Sequence, residues 1–257
     1  MNAPVARKSL GQHFLHQKNV IRRIISQFAP GEGDRVVEIG PGLGALTFEL
    51  IPRVGQLHAI ELDRVLARKL ENETAGFGHV HILHANALDV DVCTLCPGQN
   101  LRLIGNLPYN ISTPLLFHVL GSRACIRDMW FMLQKEVGER IVAGPGSKRY
   151  GRLSVMIQQS CSAELVLHVA SGAFSPPPRV ESVVVRLVPH DQPPHDIADY
   201  RAFDCVVRAA FSQRRKTLRN ALRHLIDADL MRTAGIDPSL RAEQLSIGDY
   251  VKLGKLL

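Results

Sequence analysis

Five short apolar runs recur between residues 33 and 134, and helix-patterned stretches stand between them. The runs are "GDRVVEIG" (33–40), "QLHAIELD" (56–63), "VHILHANAL" (80–88), "NLRLIGNLPY" (100–109) and "DMWFMLQ" (128–134). The intervening "ALTFELI" (45–51), "RVLARKLENE" (64–73) and "TPLLFHVLG" (113–121) carry helical spacing. Strands that alternate with helices imply right-handed crossovers and a parallel sheet covered on both faces. An earlier helix is expected over 17–28, where Val20, Ile21, Ile24, Ile25 and Phe28 share one face.

The pattern then changes. "AELVLHVA" (163–170) and "SVVVRLVPH" (182–190) are strands joined by a Pro-rich segment without a helix, so they are expected to pair antiparallel at one sheet edge. "PHDQPPHD" (189–196) reads as a linker, and residues 199–257 read as helices alone. The expected architecture is an α/β domain over 1–190 followed by a small all-helical domain over 191–257.

Charge narrows the partners. The net charge is +7 with a pI near 9.4, and the cations cluster. Arg7, Lys8, Lys18, Arg22 and Arg23 precede the first acid, Glu32, while Arg214, Arg215, Lys216, Arg219 and Arg223 form a second group. Either cluster alone fits a solvated helix face. Together they read as a polyanion footprint, most often nucleic acid. No apolar run reaches the ~18 residues of a membrane span, and no apolar segment follows the basic start, so a cytoplasmic location is expected. The five cysteines (93, 96, 125, 161, 205) are odd in number and scattered, which argues against a disulfide framework. Cys93 and Cys96 form a CxxC without a second ligand pair, read here as loop thiols and not as a metal site.

The first strand ends in "VVEIGPGLGALT", with Gly40, Gly42 and Gly44 before the helix. Glycines there let the backbone approach a ligand over a helix N-terminus. About twenty residues on, Glu61 ends the second strand, where a carboxylate can accept both hydroxyls of a ribose. A dinucleotide site uses the same devices. However, the spacing is G-x-G-x-G, and Glu38 stands where it would repel a pyrophosphate. A carboxylate tolerates a sulfonium or an ammonium, which points to S-adenosylmethionine. The plainer reading of Glu38 is a local hydrogen bond. In "HANAL", the Asn86 oxygen could accept from an adenine amine, although Asn also suits an ordinary turn.

The fourth strand runs into Asn106-Leu107-Pro108-Tyr109. Proline has no N–H for the ladder, so the strand stops there. An adenine amine is a poor nucleophile because its lone pair is delocalised. The Asn106 oxygen and the Leu107 carbonyl could each accept one amine hydrogen and localise that pair, with Pro108 stiffening the turn. The Tyr109 ring offers a stacking face for an extruded base, worth ~1–3 kcal/mol.

Asn-Leu-Pro-Tyr resembles the (Asn/Asp/Ser)-Pro-Pro-(Tyr/Phe) motif of amino-methylating class I methyltransferases, and its Leu form resembles the rRNA adenine dimethylases. "KSLGQHFL", "VVEIGPGLGALT", "IELD", "NLPYNIST", "FSPPPRVESVVVRL" and "FSQRRKTLRNAL" extend the resemblance over nearly the whole chain, within that family to the bacterial 16S rRNA dimethyladenosine transferases. The resemblance implies a class I (Rossmann-like) sheet. It places His13 and Leu15 at the cofactor's methionine end, with Gly40, Gly42, Glu61, Asn86 and Asn106 completing that site. By the same resemblance Phe174 would be a second ring sandwiching the adenine; without it, a core Phe is the plainer reading. The implied reaction is dimethylation of two adjacent adenosines near the 3′ end of 16S rRNA, by a monomer acting on the assembling 30S subunit without a metal. The family pattern usually has Asp where Asn86 stands, and often Asn where His13 stands. The competing readings are a non-catalytic assembly factor, a 23S rRNA methyltransferase and, weakest, a dehydrogenase.

Overall fold

A computed structural model describes Arg7, residues 11–95 and residues 100–257. Its contacts group into two compact units, 1–138 with 164–189, and 139–163 with 190–257. The expected division at 190 is therefore corrected. Residues 139–163, of which the strand–helix pattern assigned only Ala163, group with the C-terminal helices.

In the first unit the strands are β1 (Phe14–Leu15), β2 (Arg35–Ile39), β3 (Gln56–Glu61), β4 (Val80–His84), β5 (Leu101–Asn106) and β6 (Ile126–Gln134). After them come β7 (Cys161–Val169), which begins in the second unit, β8 (Phe174–Ser175) and β9 (Ser182–Pro189). Among the described residues, seven strands form one sheet in the order β4-β3-β2-β5-β6-β9-β7. The pairs β2·β3, β3·β4, β2·β5 and β5·β6 are parallel, as alternation with α1 (Lys18–Phe28), α2 (Thr47–Leu50), α3 (Arg64–Thr74), α4 (Val92–Leu95) and α5 (Ser112–Gly121) requires. Strand β9 runs antiparallel to β6, with β7 beside it at the edge. The two late strands are thus neighbours, and the pairing that joins them to the sheet is β9 on β6.

The connectivity fixes where a ligand can sit. From β2 the chain moves outward to β3 and β4, then returns to β5 on the other side of β2. The loops after β2 and β5 therefore diverge and leave a crevice beyond the strands' carboxyl ends. Helix α1 covers one face. Its Ile21, Ile24, Ile25 and Phe28 pack with Trp130, Met132, Leu167, Val169 and Val184. Each fully buried Ile or Phe of this kind contributes ~1.5–3 kcal/mol. This packing anchors the strand just before it, β1, which pairs antiparallel with β8 through Phe14↔Ser175 and Leu15↔Phe174.

One cysteine reading is corrected. Cys93 of α4 and Cys125, which follows α5, are bridged as a disulfide, their Cα atoms 5.8 Å apart. Thirty-two residues separate them in sequence, so only the packing of the segments before β5 and β6 brings them together. Cys96, the other half of the CxxC, lies outside the described residues.

The second unit contains α7 (Arg152–Ser160), α8 (Tyr200–Ser212), α9 (Leu218–Ala221), α10 (Ala228–Thr233) and α11 (Ile247–Gly254); α6 (Lys135–Ile141) ends inside it. Asp199 caps α8 by accepting from the N–H groups of Arg201 and Ala202 at 2.8 and 3.0 Å. Tyr150, Phe211 and Tyr250 form its aromatic centre. Among the described residues no helix is long and apolar enough to cross a membrane.

Candidate active site

The crevice is a cavity lined by residues 11–15, the glycine loop, the end of β3, Ala85 to Ala87 and residues 106–111. Gly40, Gly42 and Gly44 all have positive φ (70°, 59° and 84°), a backbone region costly for residues with a Cβ. A second requirement is less visible. A Cβ on Gly105 would lie 2.4 Å from the Ile39 carbonyl oxygen, so glycine there lets the ends of β2 and β5 meet. That close approach sets Asn106 against the glycine loop.

Glu61 is buried at the end of β3. Its Oε2 accepts the Gly42 N–H at 3.0 Å and its Oε1 the Asp63 N–H at 2.8 Å, which ties the carboxylate to the loop it faces. Burial pushes its pKa up, opposed by those two N–H bonds. Asp63 itself caps α3 through the Val65 N–H and pairs with Arg7 at 3.2 Å. Arg7, from the N-terminal basic cluster, is therefore engaged internally. Lys18, Arg22 and Arg23 lie exposed on α1, and Lys8 is outside the described residues.

Glu38 also lines the cavity and makes the local bond of the plainer reading, accepting from the Thr47 hydroxyl at 2.7 Å. Burial pushes its carboxyl up to about 7; the Thr47 hydrogen bond opposes this and the nearby Glu61 charge adds to it. Such an acid stays protonated in the folded chain while its unfolded counterpart ionises near 4.5. Between those values the folded state binds the extra proton, so stability falls as pH rises towards 7. Glu38→Gln should match the wild type at pH 4.5 and exceed its unfolding free energy by about 3 kcal/mol at pH 8. Denaturant titrations at both pH values check this, and equal stabilities at pH 8 would refute it.

Asn86 lies in the cavity wall, but its side chain serves a turn. Its Oδ1 accepts the Leu88 N–H at 3.2 Å and its Nδ2 donates to Asp89 at 3.0 Å. One lone pair of Oδ1 is left for a ligand.

The Asn106 amide is fixed by its other end. Its Nδ2 donates to the His13 carbonyl at 2.9 Å, which leaves Oδ1 as the amide's acceptor, and Asn106 lines the cavity. The Leu107 N–H continues the ladder to the Met132 carbonyl at 3.1 Å. Pro108 then ends the strand, and its carbonyl accepts the Ile111 N–H as the chain turns into α5. The Tyr109 ring lines the cavity, half-buried, with its hydroxyl 2.7 Å from Ser182 Oγ. The His13 ring stacks on it at 5.4 Å and 30°. His13 Nδ1 donates to the Pro176 carbonyl at 2.7 Å, because a carbonyl can only accept.

Phe174 is not brought to the cavity. It is 2% exposed and packs in the core with Leu15, Ala173 and Val184. The cause is its register: pairing with Leu15 fixes β8, and the ring turns inward where apolar contacts are available. Leu15 is buried too, yet reaches the cavity wall. The structure adds wall residues that the sequence did not single out, among them Gln12, Leu62 and Ala85. Leu62 had a signal, an apolar residue between two acids that remains 47% exposed.

The C-terminal basic cluster divides. Arg215, Lys216, Arg219 and Arg223 are exposed, Arg223 bonding to His224 at 2.9 Å. Arg214 donates to Glu243 at 3.1 Å and to the carbonyls of Ser147 and Lys148, so it also braces the helical unit. Among the described residues no group of three or more His, Cys, Asp or Glu side chains is placed to hold a metal.

Comparison with known proteins decides the family. A profile described as "Ribosomal RNA adenine dimethylase" matches residues 4–257. The chain belongs to the ribosomal RNA adenine dimethylase family. Its curated relatives include the "Ribosomal RNA small subunit methyltransferase A" of Xanthomonas euvesicatoria pv. vesicatoria, 51% identical over 98% of this chain and 96% of that one. The protein of the same name from Xanthomonas campestris pv. campestris (strain B100) is 50% identical over the same shares. Among solved structures, a dimethyladenosine transferase from Plasmodium falciparum superposes with a TM-score of 0.78 at 24% identity, covering 94% of this chain and 96% of that one. The adenine dimethylase sheet and helices described above are therefore a class I, Rossmann-like methyltransferase fold.

Proposed function

We propose that this rRNA adenine dimethyltransferase uses the cavity after β2 and β5 to transfer methyl groups from S-adenosylmethionine to adjacent adenosines near the 3′ end of 16S rRNA. The cavity residues fit that cofactor. Buried carboxyl groups stand at two points of the wall, Glu61, tied to the glycine loop, for ribose hydroxyls and Glu38, which tolerates a cation. S-adenosylmethionine would supply an activated methyl group. Glu61 and the glycine loop would hold its adenosine part, and His13 and Leu15 would flank its methionine end.

The observation that carries the reading is the fixed Asn106 amide. Because its Nδ2 is bound to the His13 carbonyl, its Oδ1 is already turned to accept an amine hydrogen. With the Leu107 carbonyl accepting the other, the nitrogen lone pair is drawn out of the adenine ring and aimed. Tyr109 holds the base plane and lies where positive charge passes to nitrogen. No strong base is required, since the methylated ammonium loses its proton readily to solvent. Orientation and electrostatics carry the catalysis. Arg215, Lys216, Arg219 and Arg223 are the proposed phosphate contacts of the helical unit. The assembling 30S subunit is the proposed substrate, and the enzyme is proposed to act as a cytoplasmic monomer.

Labelled-methyl transfer to 30S particles lacking these methyls, followed by nuclease mapping, tests the reading. Label is expected in dimethyladenosine near the 3′ end of 16S rRNA. Label confined to other positions of 16S rRNA, or none at all, would overturn it.

A further inference from the structure

The Tyr109 ring is held at its far end by Ser182, the second serine of "FSPPPRVESVVVRL". Ser182 opens β9, opposite Gln134 of β6, and is fully buried. Its Oγ lies 2.7 Å from the Tyr109 hydroxyl. The bond is made at the para position, the point of the ring farthest from the backbone, where it best resists a swing about the Cα–Cβ bond. The His13 ring covers one face of Tyr109, and His13 is itself tied to the Pro176 carbonyl. One face is thus occupied and the hydroxyl is pinned, so the ring has one face left to offer. Phe174, the other ring the resemblance placed at the base, is 2% exposed and packs in the core.

We propose that Ser182 is a positioning residue for methyl transfer, holding Tyr109 through its hydroxyl so that the open ring face is presented to the target adenine. It touches neither the base nor the cofactor. Strand β9 thereby couples the antiparallel edge of the sheet to the Asn-Leu-Pro-Tyr loop. The phenol remains a neutral hydroxyl in this role, since burial raises its pKa, opposed by the Ser182 bond. The inference rests on the methyl-transfer reading, and wild-type enzyme serves as its control.

Single-turnover methylation of 30S particles, with enzyme and S-adenosylmethionine saturating, separates positioning from general support. Ser182→Ala removes one neutral hydrogen bond and is expected to lower the transfer rate about 3- to 10-fold. Affinities for S-adenosylmethionine and for 30S particles should stay within about twofold of wild type. Tyr109→Phe removes the same bond from the other side and leaves Ser182 in place, so it should show a similar loss. The double variant should be no slower than the slower single one, because both act through one contact. A Ser182→Ala enzyme with a wild-type rate overturns the proposal, and so does a double variant whose loss is the product of the single losses. A defect confined to either affinity overturns it as well. If Ser182→Ala does not fold, Tyr109→Phe alone decides, and a wild-type rate there overturns the proposal. Wild-type enzyme that transfers no methyl would instead sink the functional reading beneath it.

Discussion

Replacing Asn106 by alanine is expected to slow methyl transfer from the bound complex by about 100- to 1000-fold, the loss of one positioned hydrogen bond acting at the transition state, ~2.7–4 kcal/mol. Affinity for rRNA should stay close to wild type, because the amide acts on the amine and not on phosphates. The substitution also removes the donor to the His13 carbonyl. Asn106→Asp separates these effects: it keeps an oxygen to accept the amine hydrogen and loses the Nδ2 donor. The aspartate enzyme should be faster than the alanine enzyme under single-turnover conditions with both ligands saturating. An active Asn106→Ala would refute the lone-pair argument. Equal rates for Asp and Ala would instead assign the role to Nδ2 and the placement of His13.

The sequence displayed what depends on local pattern. Strands β2, β3, β5 and β6 are buried apolar runs flanked by turns, and α1 carries its buried face at helical spacing, so both were legible. Glu61 was legible as a candidate because its place at a strand end follows from the same pattern. What depends on long-range packing was not. Phe174 stands in a motif, but pairing of β8 with β1 decides where its ring points. Arg214 sits in a basic run, but Glu243 and two carbonyls from another segment engage it. Cys93 and Cys125 meet only through the fold. Asn86 shows both levels at once: a turn residue by its bonds and a cavity residue by its place. Gly105 did carry a local sign, a glycine inside a strand, which marks close backbone approach.

Arg102 is buried in the middle of this assembly, and its removal is expected to be the costliest change away from the cavity. Its guanidinium forms a bidentate pair with Asp128 (Nε and Nη2, both 2.8 Å) and a further pair with Asp34 at 2.7 Å. It also donates to the carbonyls of Phe28 and Ala29, the end of α1, and lies 4.0 Å from the centre of the Phe28 ring. Asp128 accepts in addition from Trp130 Nε1 at 2.9 Å. Burial works against this charge, but the hydrogen bonds to Asp128 and Asp34 outweigh it and hold the arginine pKa above its ordinary value. Arg102→Met would fill much of the volume yet strand Asp128, which is 3% exposed, without its partner. Breaking a buried pair from one side costs ~3–5 kcal/mol. Adding Asp128→Asn removes the stranded charge while keeping an acceptor for Trp130, so the double variant should be more stable than Arg102→Met alone. Residue 102 lies four positions before Asn106 on β5, ~13 Å away along the strand. The folded fraction of Arg102→Met should therefore transfer methyl at a near-normal single-turnover rate. Denaturant titrations of the wild type, the single and the double variant measure the cost. A double variant less stable than the single one would show that bonds to the α1 carbonyls, and not the stranded carboxylate, dominate the loss.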